Sequence, residues 1–147
     1  MTSIPGTLQN LLDELSLIED TSLRYELLIE YGERFKEVPE EIATRPFPEE
    51  CKVPACESDA YIFSTRNSDG TLKFHFAVEN PQGVSAKALA CILDETLSGE
   101  KIEEVSHVSE DIAYSIFGKN LSMGKGLGLT SMIRSLREIV LRELRSS

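Results

Sequence analysis

Leucines recur at helical spacing from the start of the chain. Leu8, Leu11, Leu12 and Leu15 follow the i, i+3, i+4, i+7 rule, which predicts an amphipathic helix with Thr7 as its N-cap after Pro5 and Gly6. A second stripe, Leu23, Leu27, Leu28 and Tyr31, predicts another helix, capped by Thr21 or Ser22 and running to about Phe35, before Pro39. The pattern then fails. Residues 37–54 hold Pro39, Pro46, Pro48 and Pro54, each of which disfavours regular structure around it. A connection of this length is long for a compact domain, and such loops often carry function. This one leads directly to Cys56.

Beyond it the period changes from helix to strand. Residues 60–65 are rich in strand formers, Asn67, Ser68, Asp69 and Gly70 form a turn signal, and Leu72, Phe74, Phe76 and Val78 alternate with Lys73, His75 and Ala77. That alternation predicts a hairpin whose second strand has one buried face and one at least partly polar. Pro81, Gln82 and Gly83 break the chain. A helix over about residues 85–97 follows, with Ala86, Leu89, Ala90, Leu93 and Leu97 on one face and Gly99 just past its end. Ser109 is placed to cap a short helix over residues 110–117, stopped by Gly118. Leu129, Met132, Ile133, Leu136 and Val140 mark a long C-terminal helix, whose last turns carry Arg142 and Arg145 against the negative end of its dipole. Two helices, a hairpin and three further helices predict an α+β fold, a small antiparallel β-sheet covered by α-helices.

The chain has 147 residues, which fits a single domain over residues 1–147, and no repeat or second boundary interrupts it. With 41% hydrophobic residues it can build a core and is not a disordered tail. Residues 1–14 carry neither a basic region nor an apolar run, so no secretory signal is expected there. The longest apolar runs fall far short of the roughly 20 residues needed to span a bilayer, so a soluble protein is expected, with no membrane partner. The net charge of −10 argues against nucleic acid as a partner, because phosphate binding needs a basic surface. The charge is uneven: from Lys119 onward six basic residues face two acidic ones, Glu138 and Glu143. That stretch reads either as the solvated face of a helix or as a docking surface for an acidic partner.

Three cysteines, Cys51, Cys56 and Cys91, make an odd count that does not suit a secreted disulfide framework. There is no C-x-x-C pair, and His75 and His107 lack the spacing of zinc ligands, so no metal is expected. Cys91 falls on an apolar helix face and reads as a core residue. Cys56 lies among prolines and short polar residues just ahead of a strand, where a thiol is either a turn residue or a nucleophile. An unactivated thiol, with a pKa of about 8.5, is only a few per cent thiolate at neutral pH, so a working one needs a basic neighbour or a helix N-terminus. The glycine-rich run Gly124, Lys125, Gly126, Leu127 and Gly128 reads as a turn leading into the last helix. It fits neither a P-loop nor a dinucleotide fingerprint.

Three segments carry a family resemblance. Val53-Pro54-Ala55-Cys56-Glu57-Ser58-Asp59-Ala60-Tyr61 resembles the SufE signature, in which Gly-Cys-Gln-Ser leads into a strand with an aromatic residue. Leu121-Ser122-Met123-Gly124-Lys125-Gly126-Leu127-Gly128-Leu129, flowing into Met132-Ile133-Arg134, resembles the family's Leu-Ser/Thr-Pro-x-Arg-x-x-Gly-Leu element. Leu28-Ile29-Glu30-Tyr31-Gly32 is similar to its Leu-Ile-Glu-Leu-Gly helix. The resemblance covers residues 8–140 in register. Ala55 stands in place of the usual glycine, Glu57 of glutamine, Tyr61 of tryptophan and Lys125 of arginine. The last change keeps the charge but loses the planar fork.

The resemblance implies a cytoplasmic sulfur acceptor for iron–sulfur cluster assembly. Cys56 would take a persulfide sulfur from a SufS-type cysteine desulfurase, stimulate that enzyme, and pass the sulfur to a SufBCD-type scaffold. PLP would belong to the desulfurase, and this chain would need no cofactor of its own. Lys125 and the N-terminus of the last helix would offset the acidic charge at the thiol. Cys51 is open to a resolving role, which the family does not require. A docking module that regulates a desulfurase without carrying sulfur is the alternative. A cysteine hydrolase would need a histidine base, which neither His75 nor His107 convincingly supplies, and a thioredoxin-like role lacks C-x-x-C.

Overall fold

The computed structural model describes residues 3–146. Helix α1 (Gly6–Ser16) and helix α2 (Thr21–Glu33) come first, then a long connection, then the hairpin β1 (Ala60–Arg66) and β2 (Leu72–Val78). Helices α3 (Val84–Leu97), α4 (Ile102–Val105), α5 (Ile112–Phe117) and α6 (Met123–Ser146) complete an α+β fold. The expected order holds, with one addition. The single turn of α4 is too short to show a period, and Val105 alone is buried from it.

α3 is the axis of the molecule. Ala88, Cys91, Ile92 and Thr96 are buried along with the expected apolar face, so the helix is enclosed on nearly every side. α2 packs on one flank and β2 on another, and Leu8 and Leu15 of α1 and Met132, Ile133, Leu136 and Val140 of α6 close the same core. The second helix is less buried than its stripe predicts: Leu28 is buried, but Leu23 is 53% exposed. Its cap is Asp20, whose carboxylate accepts from the N–H groups of Ser22 (2.8 Å) and Leu23 (3.3 Å), rather than Thr21 or Ser22. Thr7 does not cap α1 either. Its hydroxyl donates to the Thr96 carbonyl at 2.6 Å and so ties α1 to α3. Ser109 accepts from the Asp111 N–H and shapes the turn before α5, which starts two residues later than expected.

The hairpin pairs Ile62 with Phe76 and Tyr61 with Ala77. Ile62, Phe74 and Phe76 face α3. The opposite face is not left to solvent. The connection between α2 and β1 folds across it, and Phe47 sets its ring against Tyr61 (5.1 Å) and Phe63 (5.6 Å), with Val38 and Ala77 completing a second small core. The irregular stretch expected at residues 37–54 is thus a packed cover, with one 3-10 turn at Glu49–Cys51.

A two-stranded sheet has two open edges, and here the β2 edge is occupied along its length and the β1 edge at its start. On β2, Ser98 Oγ accepts from the Phe74 N–H (3.0 Å) and Glu37 Oε1 from the Val78 N–H (3.2 Å). The N–H groups of Val38 and Gly99 donate to the carbonyls of Phe76 and Leu72. On β1, the Val53 N–H donates to the Ala60 carbonyl at 2.8 Å.

Arg24 gathers the ends of two helices. Its guanidinium donates to the carbonyls of Leu15 (2.6 Å) in the last turn of α1 and Ile18 (3.3 Å) just after it, and to those of Ser115 (2.8 Å) and Ile116 (3.1 Å) in α5. These carbonyls lie at helix ends, where acceptors outnumber backbone donors. Arg24→Ala is expected to lower stability by about 2 kcal/mol, as for lost charged hydrogen bonds, and Arg24→Lys to restore little, because an ammonium cannot span the four acceptors. Urea unfolding checks this. A change below about 0.5 kcal/mol in Arg24→Ala would refute the role, since that is the range of an ordinary surface substitution.

Candidate functional site

Residues 53–59 form a narrow loop ahead of β1. Its base is pinched by the Val53 to Ala60 hydrogen bond and by an ion pair between Lys52 and Asp59 at 3.4 Å. Two of its residues have left-handed backbone, Ala55 (φ 61°) and Asp59 (φ 52°). Asp tolerates this region, whereas for alanine it costs about 1–2 kcal/mol. Ala55 is where the resemblance expects glycine, and the positive φ gives the physical reason for that preference.

The loop lies along α6. Ser131 Oγ donates to the Pro54 carbonyl at 2.6 Å. A Cβ on Gly128 would stand 3.4 Å from both the Ala55 carbonyl oxygen and the Cys56 Cα, so any longer side chain there would enter the loop backbone. A Cβ on Gly124 would stand 3.4 Å from a Glu57 carboxylate oxygen. Positions 124, 128 and 131 share one helix face, so a stripe of small residues receives the loop, which runs antiparallel to the helix. The loop is held from the other side by Gly83, where a Cβ would come within 2.8 Å of Ser58 Oγ and 2.9 Å of its Cβ. Backbone bonds from the N–H groups of Glu79 to Asp59 and of Asn80 to Ser58 fasten the same end.

The glycine-rich run is therefore not a turn, as its composition suggests, but the first turns of α6. Ser122 opens the helix by accepting from the Lys125 N–H at 3.3 Å, the usual geometry of a serine cap. Gly126, on another face, leaves room for the Tyr114 hydroxyl, which lies 2.8 Å from where its Cβ would be. Seating Cys56 over Gly128 puts it beside the second turn of α6. The first turn, where the dipole acts, is taken by the Glu57 carboxylate, which is the charge a helix N-terminus favours.

Cys56 is half-buried and stands between two depressions. One is a cleft of about 460 Å³ between α2, the start of α3 and the start of α6. Its wall mixes apolar Leu28, Phe117 and Leu129 with Ser58, Asn80 and Lys125. The structure thus brings both candidate residues, Cys56 and Lys125, to one cleft. Lys125 is exposed and makes no ion pair among the described residues. Glu57, Ser58, Gly83, Gly128 and Ser131 went unassigned in the sequence. The signal that could have found three of the loop's contacts was the spacing of Gly124, Gly128 and Ser131, read as helix instead of turn.

The other thiols are placed differently. Cys91 is buried on α3 and hydrogen-bonds Glu95 at 3.2 Å. Burial, then that carboxylate, pushes its pKa up to about 12. Glu95 is in turn clasped by Arg34. Cys51 packs with the second core under the hairpin, while Cys56 packs against the main one. Burial, then the charge of Glu50, raises the Cys51 pKa against the opposing pull of Arg142. His75 contacts Thr65 on the sheet, where burial first and then Lys73 lower its pKa, and His107 is exposed. Neither lines the clefts beside Cys56. Among the described residues no cluster of three or more His, Cys, Asp or Glu is arranged to hold a metal.

Two of the six basic residues of the C-terminal stretch are engaged internally. Arg134 and Arg137 both reach Glu110, and their hydrogen bonds and charges hold its carboxyl below the usual range. Arg137 also donates to the Val108 carbonyl, and Arg66 pairs with Glu143. These arginines serve the fold. No helix among the described residues is long and apolar enough to cross a membrane.

A family model described as SufE, Fe-S metabolism associated domain, matches residues 9–140. An uncharacterized SufE-like protein of Rhizobium etli is 28% identical over 138 residues, covering 90% of this chain and 88% of that protein. Another, from Rhizobium meliloti, is 26% identical over 136 residues, covering 89% and 92% respectively. SufE-like protein 1 of Arabidopsis thaliana, chloroplastic/mitochondrial, is 23% identical over 92% of this chain, which spans 35% of that longer protein. The solution structure of a hypothetical protein from Thermus thermophilus superposes with a TM-score of 0.76 over 97% of this chain and 98% of that one. Its sequence is 23% identical, so it bears on the fold alone.

The placement of the thiols predicts their order of reaction. At pH 8, iodoacetamide is expected to label Cys56 first and Cys91 last. With its pKa near 12, Cys91 holds a thiolate fraction on the order of one in ten thousand. Peptide mass spectrometry over a time course checks this, and early labelling of Cys91 would contradict it.

Proposed function

Because the chain belongs to the SufE family of Fe-S metabolism associated domains, we propose that it accepts persulfide sulfur on Cys56 from a SufS-type cysteine desulfurase. It stimulates that enzyme and delivers the sulfur to a SufBCD-type scaffold. The observation that carries the reading is the presentation of Cys56. It is the thiol that borders both depressions, on a loop fastened by α6 and Gly83, while Cys51 and Cys91 border neither.

The exchange needs little beyond a presented thiol. The Cys56 thiolate attacks the outer sulfur of the donor persulfide. A new S–S bond forms on Cys56, the donor's S–S bond breaks, and the donor cysteine leaves as a thiolate that takes up the proton Cys56 gave away. No net oxidation occurs, and rate depends on thiolate fraction and access. PLP chemistry is confined to the donor enzyme. Lys125, on the wall of the same cleft, favours the anionic sulfur before and after transfer. Its single charge acts without the bidentate grip of arginine. The surroundings suit a protein donor: Tyr25 (63% exposed) and Val84 (46%) edge the cleft, Leu127 (52%) the second depression, and Met123 (89%) starts α6. Such apolar exposure around one thiol is the material of a protein contact.

Incubating the protein with a SufS-type desulfurase and cysteine, followed by intact mass measurement, tests the reading. Wild type and Cys91→Ser are expected to gain about 32 Da, one sulfur atom, removable by thiol reductant. Cys56→Ser gains nothing, and Lys125→Ala gains the mass about three- to tenfold more slowly, the effect of one nearby charge at a partly exposed site. Sulfur on Cys56→Ser, or none on wild type, would contradict the proposal. Stimulation of the desulfurase that survives Cys56→Ser would support a docking regulator instead.

A further inference from the structure

We propose that Ser131 is a positioning residue that latches the Cys56 loop against strain stored at Ala55; its consequence for sulfur transfer rests on the carrier reading above, but the latch itself does not. Ser131 is 3% exposed, and its hydroxyl leaves its own helix to donate to the Pro54 carbonyl at 2.6 Å. A helical serine or threonine ordinarily turns back onto its own preceding carbonyls. The neighbouring Thr130 does so, donating to the carbonyls of Gly126 (2.8 Å) and Leu127 (3.1 Å). Ser131 is thus committed to the loop.

Ala55 lies between the latch and the thiol. Its φ of 61° is a conformation an L-residue with a Cβ leaves unless both flanks are held. Pro54 is held by Ser131. Cys56 is held by the close approach to Gly128 and by the Asp59 N–H, which donates to the Cys56 carbonyl at 3.2 Å. If Pro54 is released, Ala55 can return to the right-handed or extended region, and that rotation redirects the chain carrying Cys56. Ser131 therefore decides how deep in the cleft the thiol sits.

The test is residue-resolved alkylation of native Ser131→Ala, Ala55→Gly and the double variant, with urea melts of each. Ser131→Ala is expected to label Cys56 roughly fivefold faster, the factor carried by one net hydrogen bond, while buried Cys91 keeps its rate. Ala55→Gly is expected to raise the urea midpoint, because glycine takes a left-handed conformation without strain. In the Gly-containing background, Ser131→Ala is expected to change Cys56 labelling by less than twofold. Three results would overturn the latch: an unchanged Cys56 rate in Ser131→Ala, an equal rise at Cys56 and Cys91 (general loosening), or the same factor in both backgrounds. An Ala55→Gly midpoint at or below wild type would remove the strain and the proposal with it. Because labelling needs no desulfurase, failure of the latch and failure of the carrier reading give different results.

Discussion

The close approach of one short loop to one face of α6 sets the geometry of everything around the thiol. Residues 54–57 rest on Ser131, Gly128 and Gly124 in turn, and a side chain reaching beyond Cβ at Gly128 would enter the loop backbone. Three glycines within the first turns of a helix weaken it by about 0.5–1 kcal/mol each. The helix bears this because Ser122 caps it and its later turns are anchored in the core through Met132, Ile133, Leu136 and Val140. Gly126 adds to the cost for a separate purpose, admitting Tyr114 from α5.

From that contact the rest of the site follows. The loop must leave Cys56 and immediately enter β1 at Ala60, so its far end is tied to the hairpin's exit through Glu79, Asn80 and Gly83. The cleft is the space left between this bridge, α2 and the start of α3. Its walls are held because α3 is enclosed on nearly all sides and the outer edge of β2 beside it is hydrogen-bonded. Lys125 makes no ion pair among the described residues, and Glu110, Glu143 and Glu95 are matched to Arg134 and Arg137, Arg66 and Arg34. Glu57 is the exception, close to the thiol in sequence, and the positive end of α6 receives it.

Periodicity carried much of this into view. The hairpin, α3, the core half of α6 and the loop placement of Cys56 all follow from apolar spacing and from prolines around the cysteine. The parts that did not follow share a cause. The caps expected at Thr7, at Thr21 or Ser22 and at Ser109 do not form because the groups near each helix start compete for the same donors, and only the folded chain decides among them. The cover over the hairpin was missed because Phe47 and Val38 obey no period. Gly124, Gly126 and Gly128 read as a turn because local propensity disfavours a glycine-rich helix, and the tertiary contacts that reverse the preference at Gly124 and Gly128 are made by residues some seventy positions earlier. The same distance hid Ser131.

Amide hydrogen exchange in Gly128→Val tests most directly whether α6 seats the cysteine loop. The branched side chain would lift residues 55 and 56, and the N–H groups of Asp59, Glu79 and Asn80, all remote from α6 in sequence, would lose their fixed acceptors. Those three amides should exchange at least several-fold faster than in wild type, while those within the β1–β2 ladder keep their rates. Wild-type exchange at all three would mean that the loop does not depend on the helix beneath it.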